Sequence, residues 1–253
     1  MKVLVLGGHG KLGAQVLKQY PMAVAPTHSQ LDITNNKQVL DFFLMWRFDL
    51  IIHLAAMTTI PACEEHKVAA WETNVEGTKN IVEAAHVIGA KVVYMSTPCV
   101  FSGKSSPYYE DSVPDPQNYY GQTKLLGETI VLNGKADGLV IRSNFLPYKK
   151  WEPEKAFIDR FSNYLFAHDL AAAIYQEIEL WLKGPDSKIV HIVGSENLSM
   201  YQLSQLCPDS KGVKEYTLEE YYAENPGAGK LTKDMSLSST YGRKHDITQL
   251  EEF

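Results

Sequence analysis

Apolar positions along the first half of the chain alternate between short unbroken runs and helically spaced stripes. Residues 2–6 (KVLVL), 22–25, 49–53 (DLIIH), 91–95 (KVVYM), 139–142 and 188–193 are brief apolar runs bounded by turn-forming or polar residues, a pattern that predicts buried strands. Between the first two, residues 11–20 carry Leu12, Val16 and Leu17 on one helical face, and Pro21 stops the helix. Thr34 is placed to cap a second helix running to Phe43, and residues 67–88 form a long helical stretch ended by Gly89. Residues 121–132, 168–183 and 199–206 read as further helices. Residues 102–118, rich in Ser, Pro, Tyr and acids, read as a surface loop. Strands alternating with helices at these lengths predict an α/β protein with a doubly wound parallel sheet, covered on both faces through right-handed crossovers.

The pattern loosens after Arg142, where Pro147, Trp151 and Pro153 mark an irregular stretch, and the sequence turns polar from about Asn225. Length permits one sizeable core with a small appended lobe, since the chain has 253 residues. A formal net charge of -6 argues against a nucleic-acid partner, which calls for a basic patch. The longest apolar run falls short of the roughly 18 residues that predict a membrane span. Cys63, Cys99 and Cys207 form no CxxC pair, and the chain opens on a strand rather than a secretory signal, so the expected setting is a reducing cytoplasm. With no HExxH and no Cys/His cluster, no protein-ligated metal is expected.

Gly7-Gly8-His9-Gly10-Lys11-Leu12-Gly13 lies between the first strand and the first helix, with the spacing G-x-x-G-x-x-G at Gly7, Gly10 and Gly13. Such a turn lets backbone approach a pyrophosphate whose charge meets the helix N-terminus, while the last glycine packs helix on strand. A Rossmann-type cofactor half is therefore expected at residues 1–145, with Gly7, His9, Gly10, Lys11, Leu12 and Gly13 as dinucleotide contacts. Residues 146–253 are expected to form a smaller substrate-binding region that partly returns to the sheet. No acid follows the second strand; Thr27, His28 and Ser29 stand there instead. Without a carboxylate to repel a 2′-phosphate, NADP(H) is favoured over NAD(H).

Tyr120 and Lys124 are four residues apart at the start of a predicted helix and so share one face. A lysine ammonium beside a phenol stabilises the phenolate and lowers the tyrosine pKa from about 10, which suits a general acid delivering a proton to a carbonyl oxygen. Tyr119 has no lysine at that spacing. Ser96 and Thr97 end the strand KVVYM, and in open parallel sheets ligands bind at the carboxyl ends of strands. A hydroxyl there is placed to bond the same substrate oxygen.

With these elements in place, the chain resembles the extended short-chain dehydrogenase/reductases, and among them the dTDP-4-dehydrorhamnose reductases. The segments that carry the resemblance are LDIT (31–34), FDLIIHLAAMTTIPACE (48–64), TNVEGTKNIVEAA (73–85), STPCVFSG (96–103), PYYEDSVPDPQNYYGQTKLLGE (107–128) and VIRSNF (140–145). They continue with HDLAAAI (168–174), VHIVGSENLSMYQLSQL (190–206) and KLTKDMSLSST (230–240). The resemblance implies catalytic roles for Thr97, Tyr120 and Lys124, and cofactor contacts from Asp32, Ile33, Ala55, Ala56 and Met57 as well as Tyr120 and Lys124. It implies substrate contacts from Thr97, Val100 and Phe145, an ordering role for Asn74, a nucleotide-sugar substrate and a homodimer. Three departures stand out: Pro98 and Cys99 replace an acid and a tyrosine common in the family, the stretch from Arg142 to His168 is shorter, and the ribose acid is absent.

The expected activity is NAD(P)H-dependent reduction of a keto group on a nucleotide-linked deoxy sugar. An epimerase of the same fold and a non-catalytic NAD(P)-binding regulatory subunit are the alternatives. Cys99 and His53 read as packed core groups rather than a nucleophile and a ligand, and Glu110, Asp111 and Asp115 as a solvated acidic face. Tyr108 and Tyr109 are candidates to reach the sugar or simply to pack.

Overall fold

Strand β1 (Val3–Leu6) shows why the short runs are apolar at every position: Val3 and Val5 enter one core and Leu4 and Leu6 another, on opposite faces of the same sheet. The same two-sided burial recurs in β2 (Leu50–His53), β3 (Lys91–Ser96) and β4 (Gly138–Arg142). The chain then leaves the sheet through the short strands β5 (Phe145–Leu146), β6 (Lys155–Phe157), β7 (Phe161–Ser162) and β8 (Leu165–Phe166). It returns as β9 (Ile189–His191), giving a parallel sheet of order β1-β2-β3-β4-β9. This computed structural model describes residues 1–184, 187–241 and 244–247. The end of the polar stretch expected from Asn225, and of the region drawn to residue 253, lies outside them.

Helices cover both faces. In chain order they are α1 (Gly13–Gln19), α2 (Asn36–Trp46), α3 (Ile60–Glu65), α4 (Lys67–Trp71), α5 (Gly77–Ile88), α6 (Tyr119–Asn133) and α7 (Ala167–Lys183). Val16 of α1 packs with Leu170, Ile174 and Ile178 of α7 on one face, while Val39, Phe43, Ile81, Ala85 and Val131 of α2, α5 and α6 fill the other. The architecture is thus the expected Rossmann-type α/β fold.

Several elements depart from the sequence expectation, each for a local reason. The run 22–25 shrinks to a single parallel bridge between Val24 and Leu4, because Pro21 and Pro26 flank it and neither has an N–H to extend the ladder. Helix α2 is capped by Asn35, whose side chain accepts the Gln38 N–H at 3.1 Å, and not by Thr34, whose hydroxyl donates to Asp32 at 2.8 Å. The long helix 67–88 is interrupted by a π turn, Glu72–Glu76, between α4 and α5. The run 188–193 divides at Ile192: β9 stays in the sheet, and β10 (Val193–Gly194) pairs elsewhere. Residues 102–118 form no regular element, yet Tyr108 is buried and stacked on Phe101 at 4.4 Å. Glu110 is buried too, which corrects its reading as part of a solvated face; it accepts from the His191 N–H, the Ser239 hydroxyl and both donors of Thr240.

The remaining pieces are β11 (Leu198–Ser199), α8 (Met200–Leu206), β12 (Lys214–Tyr216), α9 (Leu218–Glu224) and β13 (Lys244–His245). They pair with the short strands after β4: β5 with β8, β6 with β12, β7 with β11, and β10 with β13. Their core, which includes Tyr164, Phe166, Leu203, Leu218 and Met235, also takes in Ile60 and Cys99 from the N-terminal half. The lobe therefore packs over the carboxyl end of the sheet. Among the described residues no helix is long and apolar enough to cross a membrane, and no cluster of three or more His, Cys, Asp or Glu is arranged to hold a metal.

Candidate active site

The turn between β1 and α1 is built by glycines that leave no room for a side chain. Gly7 takes φ 78°, and a Cβ there would come within 2.8 Å of the Ala55 nitrogen. A Cβ on Gly13 would overlap the Gly7 carbonyl oxygen and lie 2.6 Å from the Gly8 Cα. The turn closes by a Gly10 N–H to Gly7 carbonyl hydrogen bond of 3.0 Å. Helix α1 has Leu12 at its N-cap, so no side chain caps its free N–H groups.

This turn forms one wall of a cleft of about 690 Å³. Gly7, Gly10, Lys11, Leu12 and Gly13 line it, as do Ala55 and Ala56 beyond β2, Thr97 beyond β3, Tyr120 and Lys124 on α6, and Phe145 on β5. Five of the expected residues do not line it. His9 is exposed and its Nε2 lies 3.1 Å from the Ala25 carbonyl, tying the glycine turn to the Val24 bridge. The Asp32 carboxylate accepts both the N–H and the hydroxyl of Thr34, which holds it below the usual carboxylate range. Ile33 is buried against Gly77. Met57 is engaged through its backbone by Asn74. Val100 is fully buried with Phe101, Tyr108, Val193 and Leu237, so its side chain belongs to a core rather than to the cleft wall.

Asn74 sits in the π turn, and its side chain is buried. Its Oδ1 accepts from the Met57 N–H at 2.8 Å, and its Nδ2 donates to the Met57 carbonyl and to the Thr123 hydroxyl, both at 3.0 Å. One side chain thus locks the segment after β2 to the helix that carries Tyr120 and Lys124.

Thr97 is buried at the carboxyl end of β3, and its hydroxyl accepts the Cys99 N–H at 3.2 Å. Burial pushes the Tyr120 phenol well above its ordinary pKa, against a smaller opposing effect from its hydrogen bond to Thr97. The expected lowering of the phenol by lysine is thus outweighed by burial. Lys124 is buried as well, 3% exposed, and directs its Nζ over the Tyr94 ring, 3.9 Å from the centroid. Burial lowers the Lys124 pKa to about 7, partly offset by the Glu128 carboxylate. Behind it, buried His53 is held neutral, its pKa lowered to about 3 by burial and by the Lys124 charge. Its Nε2 pairs with the Thr78 hydroxyl at 3.1 Å.

Cys99 lines the cleft, but its thiol points to the Met235 sulfur at 3.7 Å and burial raises its pKa, so it behaves as a packed thiol. The sequence reading assigned the C-terminal lobe to the substrate side but named none of the lobe residues Arg160, Tyr164, Met200 and Met235, which also line the cleft. The one local signal was a lone arginine in the aromatic segment FIDRFSNYLF.

Residues 1–157 match the family model described as RmlD substrate binding domain. A solved structure of dTDP-4-dehydrorhamnose reductase from Bacillus anthracis, in complex with NADP, superposes with a TM-score of 0.84 at 22% identity, covering 98% of this chain and 95% of that one. A hypothetical dTDP-4-dehydrorhamnose reductase from Sulfolobus tokodaii superposes with a TM-score of 0.80 at 31% identity, covering 96% and 94%. Methionine adenosyltransferase 2 subunit beta of Xenopus tropicalis is 28% identical over 284 aligned positions, covering 100% of this chain and 84% of the relative.

Proposed function

Because the chain belongs to the RmlD substrate binding domain family, within the extended short-chain dehydrogenase/reductases, we propose that it reduces a keto group on a nucleotide-linked deoxy sugar with NAD(P)H. The observation that carries this reading is the cleft itself: Thr97, Tyr120 and Lys124 line the same cavity as the glycine turn. The turn suits a dinucleotide, since the positions where a Cβ would collide are those that let backbone approach a pyrophosphate. Gly7, Gly10 and Gly13 with Lys11, Leu12, Ala55 and Ala56 would hold the cofactor. When bound, the nicotinamide supplies hydride to the keto carbon.

The chain's own residues supply the rest. Tyr120, kept neutral by burial, is a proton donor, and its O–H passes a proton to the substrate oxygen as that oxygen gains charge. Thr97 orients the same oxygen. The Lys124 ammonium stabilises the phenolate that remains until solvent returns the proton. Residues 1–145 would act as the cofactor half and 146–253 as the substrate side. With Asp32 committed to Thr34 and no acid among Thr27, His28 and Ser29, NADP(H) is the preferred cofactor, and the Bacillus anthracis neighbour holds NADP.

The test is nicotinamide absorbance with NADPH, then NADH, against freshly generated dTDP-4-keto-6-deoxy sugar. Tyr120→Phe is expected to lower kcat about 10²- to 10⁴-fold while NADPH affinity stays within about twofold, the loss appropriate to a general acid. A second reading, a non-catalytic regulatory subunit, is favoured by the full-length similarity to methionine adenosyltransferase 2 subunit beta. NADPH binding without oxidation of any keto sugar nucleotide would support that reading. Nicotinamide retained through purification and not exchanging with free cofactor would point instead to an epimerase.

A further inference from the structure

Lys124 carries a charge into the interior with little around it to balance that charge. The residue is 3% exposed, and Glu128, the acid one turn along α6, is already committed. Its carboxylate accepts from Arg142 at 2.9 and 2.7 Å and from the Ser96 hydroxyl at 2.5 Å. His53, on β2, is held neutral and brings no negative charge. What the ammonium meets at close range is the face of Tyr94, with Nζ 3.9 Å from the ring centroid. An aromatic face is electron-rich, and its attraction for a cation grows where water is shut out.

That ring is fully buried on β3, paired in register with His53 on β2 and Val140 on β4. Its hydroxyl donates to the Lys124 carbonyl at 3.5 Å, and the His53 ring packs against it with centroids 5.4 Å apart. Helix α6 makes room for it at Gly127, where a Cβ would overlap the phenol oxygen and lie 2.6 Å from the ring carbon that bears it. The helix thus has no side chain where the ring passes, three residues beyond the lysine that the ring supports. Tyr94 is not among the residues lining the cleft, so any part it plays there is played through Lys124.

We propose that Tyr94 is a positioning residue for the reduction: its ring face holds the Lys124 ammonium charged and in place, one helical turn from Tyr120. The role rests on the reading of Tyr120 and Lys124 as the proton-transfer pair of a reductase. The titratable groups around Lys124 are Glu128 and Tyr120 from α6, His53 from β2 and Tyr94 itself from β3. Arg142 neutralises Glu128, while burial keeps His53 and both phenols uncharged. Removing the ring therefore disfavours the ammonium without changing any other charge, and Lys124 gives up its proton at a lower pH.

The experiment is an NMR titration of the full chain, isotope-labelled at lysine, with the Lys124 signal identified by its loss in Lys124→Met. Tyr94→Leu should move the Lys124 midpoint down by about 0.5 to 1.5 in pH, whereas Tyr94→Phe, which keeps the face, should stay within about 0.3 of the parent. In the same variants the pH at which kcat/KM for keto-sugar reduction falls on the alkaline side should move down with the midpoint. A merely structural role would lower kcat/KM evenly and leave that limb in place. Where Tyr94→Leu does not fold, a ring-fluorinated phenylalanine at position 94 takes its place, keeping the shape and losing the electron-rich face. A Lys124 midpoint that stays put in the folded variant overturns the proposal whatever the activity. So does a Tyr94→Phe midpoint that moves as far as the Tyr94→Leu one, since the hydroxyl and not the face would then hold the charge. A midpoint that moves as expected in a protein reducing no keto sugar would sink the reductase reading and leave the ring's hold on Lys124 standing.

Discussion

Sealing a lysine ammonium from water costs hydration that neighbouring groups must replace. Lys124 has the face of Tyr94 and the Glu128 carboxylate for this, and the balance leaves its pKa at about 7. In the unfolded chain a lysine titrates near 10.4. Between about pH 7 and 10 the unfolded chain therefore binds more protons than the folded one, and this group makes stability rise with pH across that window. Removing the charge reverses the burden: Lys124→Met should raise the melting temperature of the ligand-free protein most at pH 7 and below, with the gain shrinking toward pH 10. A gain that grows with pH in thermal unfolding would contradict the direction of the shift. Spacing alone paired Lys124 with Tyr120 in the sequence, but it does not reveal that the ammonium rests on Tyr94, a residue 30 positions away. Glu110 teaches the same lesson in reverse. A loop acid reads as solvated, and only the fold brings His191, Ser239 and Thr240 around it.

At the scale of elements, local chemistry carries furthest where backbone geometry leaves little choice. The glycine turn was legible because close approach of helix and strand excludes a Cβ, and the structure places the tightest contact at Gly13. Gly13→Ala should reduce NADPH affinity about tenfold or more, whereas Gly10→Ala, whose Cβ would meet only the Gly7 oxygen at 3.2 Å, should cost far less. Equal losses in a fluorescence titration of the two variants would argue against the turn as the pyrophosphate cradle. Where an element depends on partners, the sequence pattern misled. Residues 22–25 have the composition of a strand, but the flanking prolines limit them to one bridge. The π turn at Glu72–Glu76 cannot be read from helical periodicity, because the inserted residue is stabilised by what Asn74 reaches, at Met57 and Thr123.

Across the whole molecule, a buried polar network joins the sheet to α6. Arg142 on β4 donates to both oxygens of Glu128 on α6, at 2.9 and 2.7 Å, and Ser96 on β3 donates to the same carboxylate at 2.5 Å. Arg142 also reaches the Glu110 carbonyl at 3.3 Å, beside the segment that ends in Thr240. Glu128→Gln leaves Arg142 charged and sealed at 2% exposure, and should cost about 3–5 kcal/mol in denaturant unfolding. Replacing both partners by methionine should cost much less, since the penalty lies in the unpaired charge; equal costs would show that packing, and not charge, dominates here. The chain's own pattern was enough to determine the Rossmann-type sheet, the glycine turn and the placement of Tyr120 and Lys124 on one helix, because each follows from contacts within a strand, a turn or one helix face. Tertiary structure alone decided which acids are buried, where the Lys124 ammonium rests, and that Arg160 from the lobe faces the cleft. Those outcomes depend on residues distant in sequence meeting in a low-dielectric interior, where pairing and solvation are set by neighbours that no local window contains.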